Sequence, residues 1–205
     1  SRLEVYVLNR TNNTQTLRNF AAFMDLGEGD VIFQQGNSFV GNGNSGSPTS
    51  NAANNLFENL LANPNLRRPD QISSILEGQH GLEKGQDFER VTGARKLDPS
   101  EYYFNRELGF ISLTRQLQND EVLAVSFEYN YQGRRYKVGE LTEDYQGRSE
   151  DDVIFLKLLR PSKINTRVPT WDLMMKNIYN LNAAGVDRQS FQLRVIYRDD
   201  NTGID

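Results

Sequence analysis

The sequence has no cysteine, a single histidine (His80), one tryptophan (Trp171) and no long apolar run. Without cysteine there are no disulfides, thiolate nucleophiles or thiolate metal ligands. One histidine rules out a histidine-rich metal centre and leaves any Ser-His-Asp triad to that one ring. His80 lies in Gly78-Gln79-His80-Gly81 with no nucleophile elbow beside it, which reads as an exposed turn. No segment reaches the 18 or so apolar residues of a spanning helix. Basic excess is also missing: 23 Lys and Arg against 27 Asp and Glu give a net charge of −4, well mixed along the chain. Nucleic acid and anionic lipid are therefore disfavoured as partners. What the chain does have is bulk, since 11 Phe and 9 Tyr can close a core despite a mean hydropathy of −0.64.

The pattern reads as α+β and β-rich. Leu3, Val5 and Val7 alternate with Glu4 and Tyr6 as in a half-buried strand. Leu17 to Leu26 carries Phe20, Phe23 and Met24 at three- and four-residue spacing, which fits a helix or a bulged strand. Val31 to Phe33 reads as a strand, and the Asn, Gly and Ser of 34–50 as a mobile loop. Two short helices follow, one over about 51–62, and one opening at Pro69 with Ile72, Ile75 and Leu76 as its apolar stripe and Gly78 as its stop.

From Phe88 to Leu141 the pattern is antiparallel. Tyr102 to Phe104 and Phe110 to Leu113 flank a turn, and Leu123, Val125, Phe127, Tyr129 and Tyr131 share one face of the next strand. Gln132-Gly133 turns that strand back, giving a meander of immunoglobulin-like sandwich tendency. Val153 to Leu159 is continuously apolar, as a strand covered on both faces is. Thr170 then caps an expected helix through Trp171, Met174, Met175, Ile178 and Leu181, and Phe191, Leu193, Val195 and Tyr197 alternate in a last strand. These features divide the chain into a β-rich lobe, 1–141, and a strand-helix-strand lobe, 142–205, packed together as one unit.

Few motifs carry chemistry. Gly41-Asn42-Gly43-Asn44-Ser45-Gly46 matches G-x-G-x-x-G, yet Ser47-Pro48-Thr49 follows where a helix should start, so loop flexibility explains the glycines. Asp199, Asn201 and Asp205, with Gly203, place oxygen ligands at alternate positions that suit calcium, without the bidentate Glu that completes such loops. No other cofactor is expected. Trp171, Tyr102 and Tyr129 are the candidate partner-facing aromatics, although alternation turns most tyrosines inward.

Several long blocks resemble one family. They are Leu3-Glu4-Val5-Tyr6-Val7-Leu8-Asn9, Phe23-Met24-Asp25-Leu26-Gly27-Glu28, Phe155-Leu156-Lys157-Leu158-Leu159-Arg160-Pro161, the run from Pro169 to Tyr179, and Asp199-Asp200-Asn201-Thr202-Gly203. Together they resemble the SprA (Sov) family, the outer-membrane translocon of the type IX secretion system, which also supports gliding motility in Bacteroidota. The resemblance implies a large transmembrane β-barrel that passes folded cargo, with soluble domains inserted between its segments. This chain is then expected to be one such excised insert, non-catalytic and not itself spanning the membrane. Its place would be the cell envelope, on the extracellular or periplasmic side of the outer membrane. Its partners would be the rest of the barrel, companion outer-membrane proteins and secreted cargo. A glycan- or peptide-binding module presenting tyrosines from the meander is the alternative, and an envelope hydrolase dependent on His80 is a third class.

Overall fold

The computed structural model describes residues 2–8, 17–175, 185–187, 189–192, 194 and 196. They fall in two compact units, Ser1–Met174 and Met175–Asp205. In the smaller unit the Asp187 carboxylate accepts the Gln189 amide at 3.0 Å and the Ser190 hydroxyl at 2.8 Å, and Phe191 and Gln192 lie in no strand.

The larger unit is β-rich. It contains β1 (Arg2–Leu8), β2 (Arg18–Phe23), α1 (Leu56–Ala62), α2 (Ile72–His80), β3 (Phe88–Lys96), β4 (Tyr102–Asn105) and β5 (Phe110–Leu113). β6 (Leu123–Tyr131), β7 (Arg134–Val138), α3 (Thr142–Tyr145) and β8 (Val153–Arg160) follow. The main sheet runs β1-β3-β2-β8-β6-β7, and β1 also pairs with β6. That extra ladder, from Arg2 opposite Glu128 to Val7 opposite Leu123, closes five strands into a barrel. Among the described residues only the β2–β8 strand pair is parallel.

The closed ring replaces the two facing sheets of the sandwich that the meander suggests. It also moves the lobe boundary. β8, expected in a second lobe from residue 142, lies between β2 and β6 and completes the barrel with strands from the first 141 residues.

Three apolar clusters fill the unit. Tyr6, Phe20, Ala22, Val91, Ala94, Ala124, Ile154, Leu156 and Leu158, drawn from all five strands, form the interior. Outside the barrel, Ala21, Phe23, Phe88 and Phe155 pack under Leu56 and Leu60 of α1 and Ile72 and Leu76 of α2. On the other flank Val5, Val7, Leu123 and Val125 pack under Tyr102, Ile111 and Leu113 of the β4–β5 hairpin. Because β1 faces the barrel interior on one side and this flank on the other, its Glu4 and Tyr6 are buried as well as its valines. The alternation is real, but its polar side is the inside of the barrel.

Other local expectations shift for physical reasons. Arg18–Phe23 is a strand, and the helix-like spacing reflects a bulge between Arg18 and Phe20 together with burial on both faces. Val31 to Phe33 form no strand, because the Asp25 carboxylate takes the Phe33 amide at 2.7 Å and the Gln34 amide at 3.0 Å in a turn. The 34–50 segment is anchored to the core, with Phe39 and Val40 buried. Gly43 lies against Gly29, where a Cβ would come within 2.2 Å of the Gly29 carbonyl oxygen, so that glycine serves close packing.

α1 starts at Leu56, later than expected, because the Asn54 side chain accepts the Leu56 amide and donates to the Asp25 and Glu28 carbonyls. α2 runs through Gly78 and stops at Gly81, whose φ of 66° allows the Leu82 amide to reach the Leu76 carbonyl at 3.0 Å. Trp171 belongs to a 3-10 turn, Pro169–Leu173, and Met174 is extended, so no α-helix starts at Thr170. Ile178, Leu181, Leu193, Val195 and Tyr197 lie outside the described residues.

Candidate partner-docking surface

β6 organises the surface. Its even-numbered Ala124 and Ser126 face the barrel, while Leu123, Val125, Phe127, Tyr129 and Tyr131 face outward. The outward row passes from buried to exposed along the strand, and Tyr131 reaches 51% exposure. β7 continues it: Tyr136 stands opposite Tyr129 with ring centroids 5.5 Å apart, and Phe127 lies 6.2 Å from Tyr129. Two-stranded pairs of this kind are the unit that stabilises a sheet face.

Tyr129 donates its hydroxyl to the Thr49 carbonyl at 2.8 Å. Burial first, then Tyr136 and Tyr131, raises its phenol above the usual range. Tyr102 enters the same region from the hairpin. Its ring packs on the cluster that includes Phe127, and its hydroxyl donates to the Leu3 carbonyl at 3.2 Å. Burial and then Glu4 raise its phenol too. Beside it is a groove of about 260 Å³ lined by Leu3, Pro99, Tyr102, Phe104 and Arg106. The hairpin carries Tyr103 at 62% and Leu108 at 75% exposure, large apolar groups for which the fold supplies no cover.

The fold therefore brings Tyr102 and Tyr129 to one flank, joined through Phe127. Trp171 stands elsewhere, half-buried in its 3-10 turn against β8. Asp199, Asn201 and Asp205 lie outside the described residues. Among the described residues no group of three His, Cys, Asp or Glu stands ready for a metal ion, and no helix is long and apolar enough to cross a membrane.

His80 is not a free turn residue. It ends α2, and its ring stacks on Phe39 with centroids 3.8 Å apart, where burial lowers its pKa. A shallow groove of about 340 Å³ lies there, lined by Ser38, Phe39, Asn59, Ala62, Asn63, Gln79 and His80. No ion pair reaches that imidazole among the described residues, and no serine donates to it.

Sequence reading missed the buried polar and ionic clusters, of which three tie the barrel to its surroundings. Glu140, 2% exposed, holds Arg67 through bonds of 2.5 and 2.8 Å, Arg148 at 3.0 Å and the Phe155 amide at 2.8 Å, and the Arg67 guanidinium lies 3.9 Å over the Phe155 ring. Lys157, in the apolar run of β8, donates to the Met24 carbonyl and to Glu28, and burial lowers its pKa. Glu4, Tyr6, Thr142 and Tyr145 close one end of the barrel, with Tyr6 and Tyr145 hydroxyls 2.8 Å apart and Glu4 accepting from Tyr6 at 2.9 Å and from the Thr142 amide at 2.9 Å. Each is held by partners from other elements, the pattern of charges that tie elements together. Their one sequence trace is a charged residue inside an otherwise apolar strand, as with Lys157.

Compared with models of known protein families and with curated proteins, the chain matches none.

Proposed function

We propose that this chain is a non-catalytic, extracytoplasmic insert of an SprA-like outer-membrane translocon, and that it docks partners with the flank built by the β4–β5 hairpin and the β6–β7 ribbon. The observation that carries the docking role is the exposure of Leu108 and Tyr103 beside the Tyr102 groove, on a barrel whose interior is filled. An apolar group costs free energy in water roughly in proportion to its exposed area, about 25 cal/mol per Å², so such groups concentrate where a partner covers them. The translocon context rests on the resemblance of the sequence blocks. In that context the barrel, a companion outer-membrane protein or passing cargo would be covered against the hairpin.

Replacing Tyr103 and Leu108 together by Ser, in cells that produce the protein, is expected to reduce export of type IX cargo while the purified chain keeps its unfolding midpoint. Unchanged export would remove the docking role. The Tyr129–Tyr136 stack favours a second reading, a glycan- or peptide-binding module, because parallel phenol rings on an outer face suit a sugar or a side chain. Binding on a glycan array that is lost in Tyr136→Ala would support it.

A further inference from the structure

The five barrel strands each have a neighbour on both sides, so the main sheet keeps one open edge among the described residues, the outer side of β7. The turn before β7 sets which groups lie there. Gln132 and Gly133 both have positive φ, 49° and 75°, the two-residue hairpin in which Tyr131 and Arg134 form the first bonded pair. Arg134, Tyr136 and Val138 therefore spend their backbone groups on β6, and Arg135 and Lys137 turn theirs outward. The Lys137 carbonyl accepts the Asn51 amide at 2.7 Å, and the Asn51 side chain closes the next step through Gly139. Among the described residues the Arg135 N–H, the Arg135 carbonyl and the Lys137 N–H have no backbone partner.

Side chains decide what that chain must be. Arg134 and Arg135 are exposed, on opposite faces of β7, and Lys137 lies on the Arg135 face. Lys137 is matched by Asp144 at 2.6 Å, Arg135 meets Glu128 only at 3.7 Å, and Arg134 makes no ion pair among the described residues. On the Arg134 face the incoming strand would also meet Tyr136. Basic residues on an edge commonly serve to keep identical edges apart. The same charges that repel a second copy of this chain attract a strand of the opposite sign.

We propose that the open edge of β7 accepts an extended acidic segment of a partner protein as an added strand, its backbone on Arg135 and Lys137 and its carboxylates beside Arg134 and Arg135. This rests on the docking reading above and names the chemistry of the partner. Strand addition takes its affinity from main-chain bonds and its specificity from alternate side chains.

The test uses the full chain and two synthetic hexapeptides, alternating Val-Glu and alternating Val-Lys, followed by amide NMR. The acidic peptide is expected to shift the Arg135 and Lys137 amides, slow their exchange and bind at least about tenfold tighter than the basic one. In the double variant Arg134→Glu, Arg135→Glu the preference should invert, with the amides around Phe155 unmoved as the check on folding. Equal binding of both peptides, shifts confined to other residues, no binding at millimolar peptide, or self-association through Arg135 without peptide would each overturn the proposal. If the peptides fail while the Tyr103 and Leu108 substitutions still impair export, the docking role stands and only the added strand falls.

Discussion

β8 and β7 share one side of β6 and could hardly differ more. β8 pairs with Leu123 to Val125, β7 with Phe127 to Tyr131, while β1 takes the opposite side of β6 along nearly its whole length. From Val153 to Leu158 every residue of β8 is buried, whereas β7 starts with two exposed arginines and buries only Val138. The difference comes from what stands outside each. The outer face of β8 has Leu56, Leu60 and Leu66 of the helical layer over it, whereas that layer reaches β7 at Val138 alone among its described residues, and the outer edge of β7 meets Asn51 and Asp144. One strand is spent on stability. Its neighbour keeps an open edge.

The comparison can be broken most directly at β8. Phe155 is fully buried, meets Phe23 edge to face and carries Arg67 on its ring, so Phe155→Ala is expected to lower unfolding free energy by about 3–5 kcal/mol in urea titration. Glu140→Ala comes next. It strands the Arg67 guanidinium, whose side chain is 14% exposed, and leaves the Phe155 amide without its carboxylate, for an expected loss of about 3 kcal/mol by the same measurement.

A smaller effect tests the clamp that holds the 25–34 turn. Burial raises the Asp25 carboxyl above its ordinary value of 3.8, although the Phe33 and Gln34 amides and Lys157 oppose that rise. The folded chain then binds this proton more tightly than the unfolded chain. Asp25 therefore contributes stability below its ordinary pKa, and that contribution is lost as pH rises through the folded value. The stability of the wild type relative to Asp25→Asn should grow as pH falls from 7 towards 4. A difference that shrinks over that window would contradict the burial argument. In the β6–β7 ribbon the smallest change is expected: Tyr131→Ala, on a residue 51% exposed, should stay within about 0.5 kcal/mol of the wild type.

Much of the strand content was legible because it follows period two or a plain apolar run. β6, with Leu123 to Tyr131 on one face, and β8, apolar on both, stand where the pattern puts them, and so does the hairpin from Tyr102 to Leu113. Closure was not legible, since β1 meets β6 and β2 meets β8 across more than a hundred residues, and no local pattern encodes such pairing. The same limit hid the inward side of β1, where Glu4 and Tyr6 look solvent-facing until α3 covers that end of the barrel. Composition misled at 34–50, where Phe39 and Val40 are enough to anchor an Asn- and Gly-rich segment. Of the candidate surface residues, the strand pattern singles out Tyr102 and Tyr129, and the structure places them on one flank, but the exposure of Leu108 depends on a turn geometry that residue types do not reveal.

The central claim is that the hairpin and ribbon flank meets a partner while the helical flank does not. Photo-crosslinking residues placed singly at Leu108, at Arg135 and, as the contrast, at Leu61 of α1, itself 47% exposed, would test it in cells that produce the protein. The account predicts discrete crosslinked species from Leu108 and Arg135 and none from Leu61. Crosslinks from Leu61 alone, or equally from all three positions, would contradict it.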